Sequence, residues 1–353
     1  MEPSQVKASK ISEHTHEVIK LLESKGIKHS EMMVIGMGVS KHKEGIMEKR
    51  KRRLLKSSVG IIMPTCNPEL VFDRFLPSVE HITELNKTAK FLINFNGPRW
   101  DVATMLPVVY DLQNYGFDVR YDYTGDWDKP VQVLKMREQC AEMWPEADLY
   151  LFIDDDFKFV GGTNKYPFSS GQRYLHSIDY MTRFPKCGLV NTKSFLGGTP
   201  QKLKIKAAKH GMVATGQGLF LRNMSKHGFG LWPEELQEMR GGLEEQSACY
   251  VRIERGYYVA QQFNNPTIHI TGRLSDWDDK PDNFHNTGVI DDNLAGWIRN
   301  RYQGDWDYQH RKVPDRLWRM YLGNGGIELT NSLTIDYAEY EGWDSSGVGR
   351  PKK

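Results

Sequence analysis

The sequence predicts an α/β protein built on a mostly parallel sheet with helices on both faces. Three observations lead there. From Val59 onward, short apolar runs of strand character alternate with stretches of helical length. The run Leu149-Tyr150-Leu151-Phe152-Ile153 is apolar or aromatic throughout, the mark of a strand buried on both faces, and it ends in three carboxylates, Asp154, Asp155 and Asp156. Finally, Pro64-Thr65, Asn96-Gly97 and the Asp triplet all fall at the carboxyl ends of such runs, where open α/β sheets bind ligands.

The elements succeed one another in chain order. A strand over 59–65 leads to a helix over 69–86, a strand over 91–97, a helix over 101–115, a strand over 118–123 and a helix over 130–144 before the acidic strand. Beyond it come a turn at Gly161-Gly162, a helix over 171–184 and strands over 188–197 and 213–222. Gly241-Gly242-Leu243-Glu244-Glu245-Gln246 opens a helix running to about Arg255, followed by a strand at 257–260 and the strand-like 267–272. Ile11, Val18, Ile19, Leu21 and Leu22 are spaced as on a helix over 10–25, and Gly36-Met37-Gly38 is read as a turn. Residues 273–310 mix Asp, Asn, Gly and Trp as a mobile lid does, 311–322 is helical in pattern, and the last dozen residues suit a frayed tail. The expected divisions are a basic helical appendage at 1–57, a catalytic domain at 58–272, and a lid with C-terminal extension at 273–353.

With 353 residues, 39% hydrophobic and 26% charged, the chain has the composition of a soluble protein and enough length for a large core. It contains no apolar run long enough to span a bilayer and no apolar signal-peptide core, so a cytoplasmic location is expected. Cys66, Cys140, Cys187 and Cys249 lie far apart without C-x-x-C spacing, which argues for reduced thiols over zinc or disulfides. The net charge of +2 conceals a division, with 13 Lys and Arg against 7 Asp and Glu in residues 1–56. Its densest part, Lys49-Arg50-Lys51-Arg52-Arg53, suits contact with phosphates or an anionic surface, or equally a solvated helix face.

Three adjacent carboxylates repel one another, which favours either full solvent exposure or a shared cation. The triplet therefore reads as a divalent-metal site or as an exposed turn or cap.

The order of signals resembles the GT-A fold, Rossmann-like nucleotide-sugar glycosyltransferases of the family 2 type, over about residues 58–270. Ile61-Ile62-Met63-Pro64-Thr65-Cys66-Asn67 is similar to that family's opening strand, and Asp154-Asp155-Asp156 to its D-x-D metal motif. Thr215-Gly216-Gln217-Gly218-Leu219-Phe220-Leu221-Arg222 is similar to its acceptor-side strand. Leu243-Glu244-Glu245-Gln246, with Arg252 and Gly256-Tyr257, is similar to its "ED…R…GY" block. The resemblance implies a metal-dependent transfer of sugar from a nucleotide donor, most simply a UDP-sugar, to an acceptor hydroxyl, with inversion. Asp154, Asp156 and His269 would hold Mn²⁺ or Mg²⁺, imidazole favouring Mn²⁺. Asp154 and Asp155 would also face the donor. Glu245 would be the base that takes the acceptor proton, with Glu244 as its alternate. The family usually has Asp at that position, and an acidic first turn favoured by the helix dipole is the other reading of the pair. Thr65, Asn67 and Asn96 would line the nucleotide pocket, while Lys135 or Arg137 would neutralise the diphosphate.

The acceptor is open among polysaccharides, small molecules and a hydroxymethylated pyrimidine in DNA, as in phage-encoded relatives, which would place the enzyme in a host cytoplasm. The basic segment favours DNA, and Trp232, Trp277, Trp297 and Trp306 are candidates to stack on a flipped base. A metal-dependent phosphoesterase or nucleotidyltransferase using the same carboxylates is the rival enzyme, and a non-catalytic binding module is the third reading.

Overall fold

A computed structural model describes residues 56–124, 133–155, 157–163, 167–192, 202–207, 217–237, 244–263, 268–269 and 332–336, with isolated positions at 49 and 54. The chain divides into two compact units, Met1–Arg52 and Arg53–Lys353, and every element named below belongs to the second. The expected helix at 10–25, the turn at 36–38, the lid at 273–310 and the helix at 311–322 lie outside the described residues.

Strand β1 (Val59–Thr65) is apolar and buried almost throughout. Asn67 caps the helical segment after it, its side chain accepting from Leu70 N at 3.5 Å, with Pro68 in the first turn. That segment, α1, runs through contiguous turns of differing pitch, Pro68–Leu70, the π turn Val71–Phe75, Leu76–Ser78 and the 3-10 turns Val79–Leu85. Pro77 sits inside it without an amide hydrogen, which fits the broken regularity. Strand β2 (Ala89–Asn96) is again nearly all buried. Helix α2 (Val102–Asn114) begins with a reciprocal capping box between Asp101 and Thr104. Strand β3 (Asp118–Thr124), helix α3 (Val133–Glu142) and the wholly buried strand β4 (Leu149–Ile153) complete the first half.

The second half holds β5 (Phe157–Lys158), α4 (Ser170–Arg183), β6 (Cys187–Asn191), β7 (Lys202–Ala207), β8 (Gln217–Arg222), the short α5 (Glu234–Gln237), α6 (Glu244–Glu254), β9 (Tyr258–Phe263), β10 (Ile268–His269) and β11 (Ser332–Asp336). A nine-stranded sheet forms in the order β11-β7-β9-β6-β8-β4-β1-β2-β3, and β10 pairs with β5 in a separate ribbon. Only β7 and β8 run against the other strands of the large sheet. The sheet is thus mostly parallel, as expected. Strands β7 and β11 were not anticipated, and β11 adds residues from the expected C-terminal extension to the main sheet.

Right-handed crossovers put α1 and α2 on one face and α3, returning from β3 to β4, on the other. Side chains agree: Phe91 of β2 meets Phe75 of α1 edge-on with ring centroids 6.0 Å apart, whereas Tyr150 of β4 donates its hydroxyl to Ala141 O of α3 at 3.2 Å. One continuous core results, running through both halves of the sheet. No described helix is long and apolar enough to cross a membrane.

Candidate functional site

The strand order reverses between β1 and β4. Chain progress moves from β1 outward through β2 to β3, then jumps back to lay β4 on β1's other side. Ligand crevices in open α/β sheets form at the carboxyl edge of such a reversal, because the two crossovers leave in opposite directions there.

The residues at that edge are polar and held by one another. Thr65, the last residue of β1, donates its hydroxyl to Asp155 Oδ2 at 2.8 Å, and the Cys66 amide donates to the same oxygen at 3.3 Å. Trp100 Nε1 secures the Thr65 carbonyl at 3.1 Å. Asp154 Oδ1 accepts from Arg137 Nη2 at 2.9 Å, with the guanidinium buried to 1% exposure and the carboxylate side chain 35% exposed. The Arg137 guanidinium carbon also lies 5.0 Å from the centre of the Phe152 ring. The repulsion expected within the acidic triplet is therefore relieved in part by the protein itself. A buried arginine balances Asp154, and hydrogen bonds hold Asp155.

One strand further out, Asn94 and Asn96 share a face of β2. Asn94 Nδ2 donates to Thr124 Oγ1 at 3.1 Å and Asn96 Nδ2 reaches Asn94 O at 3.4 Å. Both side chains are buried, at 0% and 4% exposure, yet neither Oδ1 has a hydrogen-bond donor among the described residues. Two orphaned buried acceptors at a crevice rim are costly to a folded chain and ready for an N–H donor. The end of this strand, Asn94-Phe95-Asn96-Gly97, stands where the resembled family usually has Asp-Asp-Gly, and Asn there is able to hydrogen-bond a base or ribose.

The other expected site residues take different places. Asn67 is buried and serves as the N-cap of α1. Lys135 lies two positions from Arg137 on α3, some 200° around the helix, so the two cannot serve one point. Arg137, expected at a diphosphate, is committed to Asp154. Glu244 and Glu245 form the first two positions of α6, where the helix dipole favours a negative charge; their side chains are outside the described set. Asp156 is outside it too. The backbone of His269 pairs with that of Phe157 in the β10–β5 ribbon, which brings it next to Asp156 in the chain path. Among the described residues no three metal-type side chains converge.

Trp232, named as a base-stacking candidate, is a core residue. It is 1% exposed and its ring lies on Phe152, with centroids 5.4 Å apart and planes at 21°. Its Nε1 donates to Ser247 Oγ at 3.0 Å, so neither ring face nor polar edge is offered to a ligand. Trp277, Trp297 and Trp306 lie outside the described residues, as does nearly all of the basic segment. Of the surface concavities, one of about 340 Å³ lies between α1 and α2 at Leu76, Pro77 and Asp111, and one of about 240 Å³ lies at the amino ends of β1 and β2. Both are remote from the carboxyl edge.

A mostly parallel sheet with acids and buried amides collected at its reversal point is an open α/β architecture. No family model matches the sequence, and no curated protein does. Among solved structures the chain is similar to the mannosyltransferase PcManGT from Pyrobaculum calidifontis in complex with GDP-Man and Mn²⁺, at 12% identity over 82% of each chain with a TM-score of 0.42. It is also similar to S. aureus TarS 1-349 in complex with UDP-GlcNAc, at 13% identity over 76% of this chain and 72% of that one, TM-score 0.41. A third is the glucosyl-3-phosphoglycerate synthase from Mycobacterium tuberculosis, at 11% identity, 65% and 78% coverage and a TM-score of 0.41. Likeness at this level says nothing of donor, metal or acceptor in the present chain.

Proposed function

We propose that this protein is a GT-A type glycosyltransferase that moves a sugar from a nucleotide donor to an acceptor hydroxyl. The observation that carries the reading is the polar row across three adjacent strand ends: Asn94 and Asn96 on β2, Thr65 on β1, and Asp155 with Asp154 beyond β4. Two strand spacings, about 10 Å, separate the amides from the acids, a span suited to a nucleoside diphosphate laid across the crevice. The single imide N–H of a uracil, or the N–H of another base, would satisfy one of the two orphaned amide oxygens. The pyrophosphate would then reach the acids, whose negative charge requires a mediating cation. Asp154, Asp156 and His269 would hold Mn²⁺ or Mg²⁺, which would neutralise charge on the departing diphosphate.

Glu245, with Glu244 beside it, would take the proton of the acceptor hydroxyl from the start of α6, on the other half of the sheet. Direct displacement from that side would invert the anomeric centre. For the acceptor we favour a hydroxymethylated pyrimidine in DNA, on the strength of the basic run at Lys49 to Arg53.

The test is incubation with a panel of nucleotide sugars and Mn²⁺ or Mg²⁺, reading nucleoside diphosphate release with and without hydroxymethylated DNA. Glycoside formation that Asp156→Asn abolishes is the expected result. Release of phosphate or pyrophosphate without a glycoside would move the protein to the phosphoesterase and nucleotidyltransferase class. Binding without any turnover would leave a sugar-nucleotide binding module. Turnover indifferent to DNA and to salt would remove the nucleic-acid acceptor.

A further inference from the structure

Behind the acidic turn, a set of buried polar contacts leads from β4 to α6. Helix α3 carries two adjacent buried ions of opposite charge. Arg137 reaches Asp154 and the Phe152 ring. Glu138, one position on, turns to a different segment: its oxygens accept from Leu231 N at 2.9 and 3.0 Å and from Trp232 N at 3.3 Å. That segment in turn grips α6 at two points. Leu231 O accepts from Arg252 Nη1 at 2.6 Å, near the end of the helix, and Trp232 Nε1 donates to Ser247 Oγ near its start. The Trp232 ring lies on Phe152, two residues before Asp154. Glu138 also lies close to Gly230, where an added Cβ would stand 2.6 Å from its Oε1.

This assembly is poorly arranged for stability alone. Arg252 is fully buried, its Nε and Nη2 have no acceptor among the described residues, and burial draws its pKa down to about 9. Burial likewise pushes the Glu138 carboxyl above its ordinary value, against the opposing pull of the two amides and Arg252. Apolar residues of similar volume commonly serve a core as well as a buried, half-satisfied ion pair does; what ions add is a fixed direction.

We infer that Glu138 and Arg252 are positioning residues that fix α6 in register with the Asp154–Asp155 turn, so that a group at the head of α6 meets a donor held at that turn. This rests on the reading given under Proposed function for what each end does. The positional linkage itself does not.

The experiment compares wild type with Glu138→Gln and Arg252→Met in two measurements. The first is backbone hydrogen exchange. Amides of α6 should exchange at least about tenfold faster in either variant, while those of β1, β2 and β4 keep their wild-type rates. The second is kinetic. Transfer should lose about 10- to 100-fold in kcat, the scale of a displacement near 1 Å at the reacting groups. KM for the donor and Kd for the nucleoside diphosphate should stay within about twofold, a split that general destabilisation does not produce. Glu138→Asp should recover part of kcat. Should both large variants fail to fold, Ser247→Ala, which removes the acceptor of Trp232 Nε1, is expected to show the same two effects at smaller size. Unchanged exchange in α6, or exchange raised equally throughout the sheet, overturns the linkage. A wild type that transfers no sugar refutes the proposed function while exchange still decides the bracket.

Discussion

Thr65 and Asp155 are joined side chain to side chain at 2.8 Å across the carboxyl ends of neighbouring parallel strands, although 90 residues separate them in sequence. Hydroxyl and carboxylate together close the floor of the crevice at the strand-order reversal. The bond, with the Cys66 amide on the same oxygen, fixes the orientation of the Asp155 carboxylate.

Thr65→Val keeps the β-branched shape and removes the donor. Asp155 then retains the Cys66 amide on that oxygen. We expect a loss of about 1 kcal/mol of stability, read by urea titration, and severalfold weaker nucleoside diphosphate binding by calorimetry. Unchanged affinity would separate Asp155 from the nucleotide pocket.

Asp154→Asn removes the carboxylate that faces buried Arg137. A drop of about 1 to 3 kcal/mol is expected in the presence of a chelator, where the partner lost is the Arg137 cation, and a larger one with metal, where a ligand is lost as well. A drop seen only in the presence of metal would assign Asp154 wholly to an ion.

Asn96→Ala deletes a buried acceptor that has no donor. Stability should hold or rise, because the unsatisfied oxygen is a penalty on the fold. Affinity for the nucleoside diphosphate should fall about tenfold, roughly 1.4 kcal/mol. Parallel loss of melting temperature and affinity would mean that Asn96 serves the fold instead.

The Glu138 carboxyl is raised above its ordinary 4.5, first by burial, with Glu142 adding to it and the Leu231 and Trp232 amides and Arg252 opposing. A folded state with a raised pKa binds more protons than the unfolded chain between the two values, so stability falls as pH climbs through that window. The stability of wild type relative to Glu138→Gln should therefore be greatest below about 4.3, the unfolded Glu value. It should decline as pH rises and level off above the folded pKa. Denaturant titrations of both proteins across pH 4 to 8 give the comparison, and a pH-independent difference would contradict the assigned burial.

Asp101 runs the other way. Its carboxyl is held below the usual 3.8 by the Thr104 hydroxyl and amide at the start of α2. The stabilisation is present above the unfolded value and is lost as pH falls through the depressed one. Asp101→Ala should melt lower than wild type at neutral pH, and the two melting curves should converge on acidification.

The strands that were legible in the sequence are those buried on both faces. The central runs Ile61–Met63 of β1, Phe91–Ile93 of β2 and Leu149–Ile153 of β4 are apolar because neighbouring strands and helices cover them. Strand β7 reads Lys-Leu-Lys-Ile-Lys-Ala, a strict alternation that an edge-side strand with one wet face should show. Its lysines drew no attention beside the stronger acidic signal. Strand β11 pairs with β7 from over 120 positions away, and nothing local announces such a partner.

At the site, residue type was readable and partnership was not. Asn67-Pro68 carries the pattern of a helix start, so its capping role was available from sequence. Arg137 was not. On α3 the choice of which cation turns inward depends on Phe152 and Asp154, supplied by another strand. The same holds for Trp232, whose burial stems from the Phe152 ring beneath it and Ser247 at its edge.

Strand β11 occupies the outermost position of the sheet and takes up the hydrogen-bonding groups along β7, whose Leu203 and Ile205 are wholly buried. A shortened protein stopping ahead of Ser332 would leave that backbone ladder bare beside greasy side chains, an open invitation for a second molecule to add its own strand. Strand β11, far in sequence from the acidic turn, thereby covers the β7 ladder.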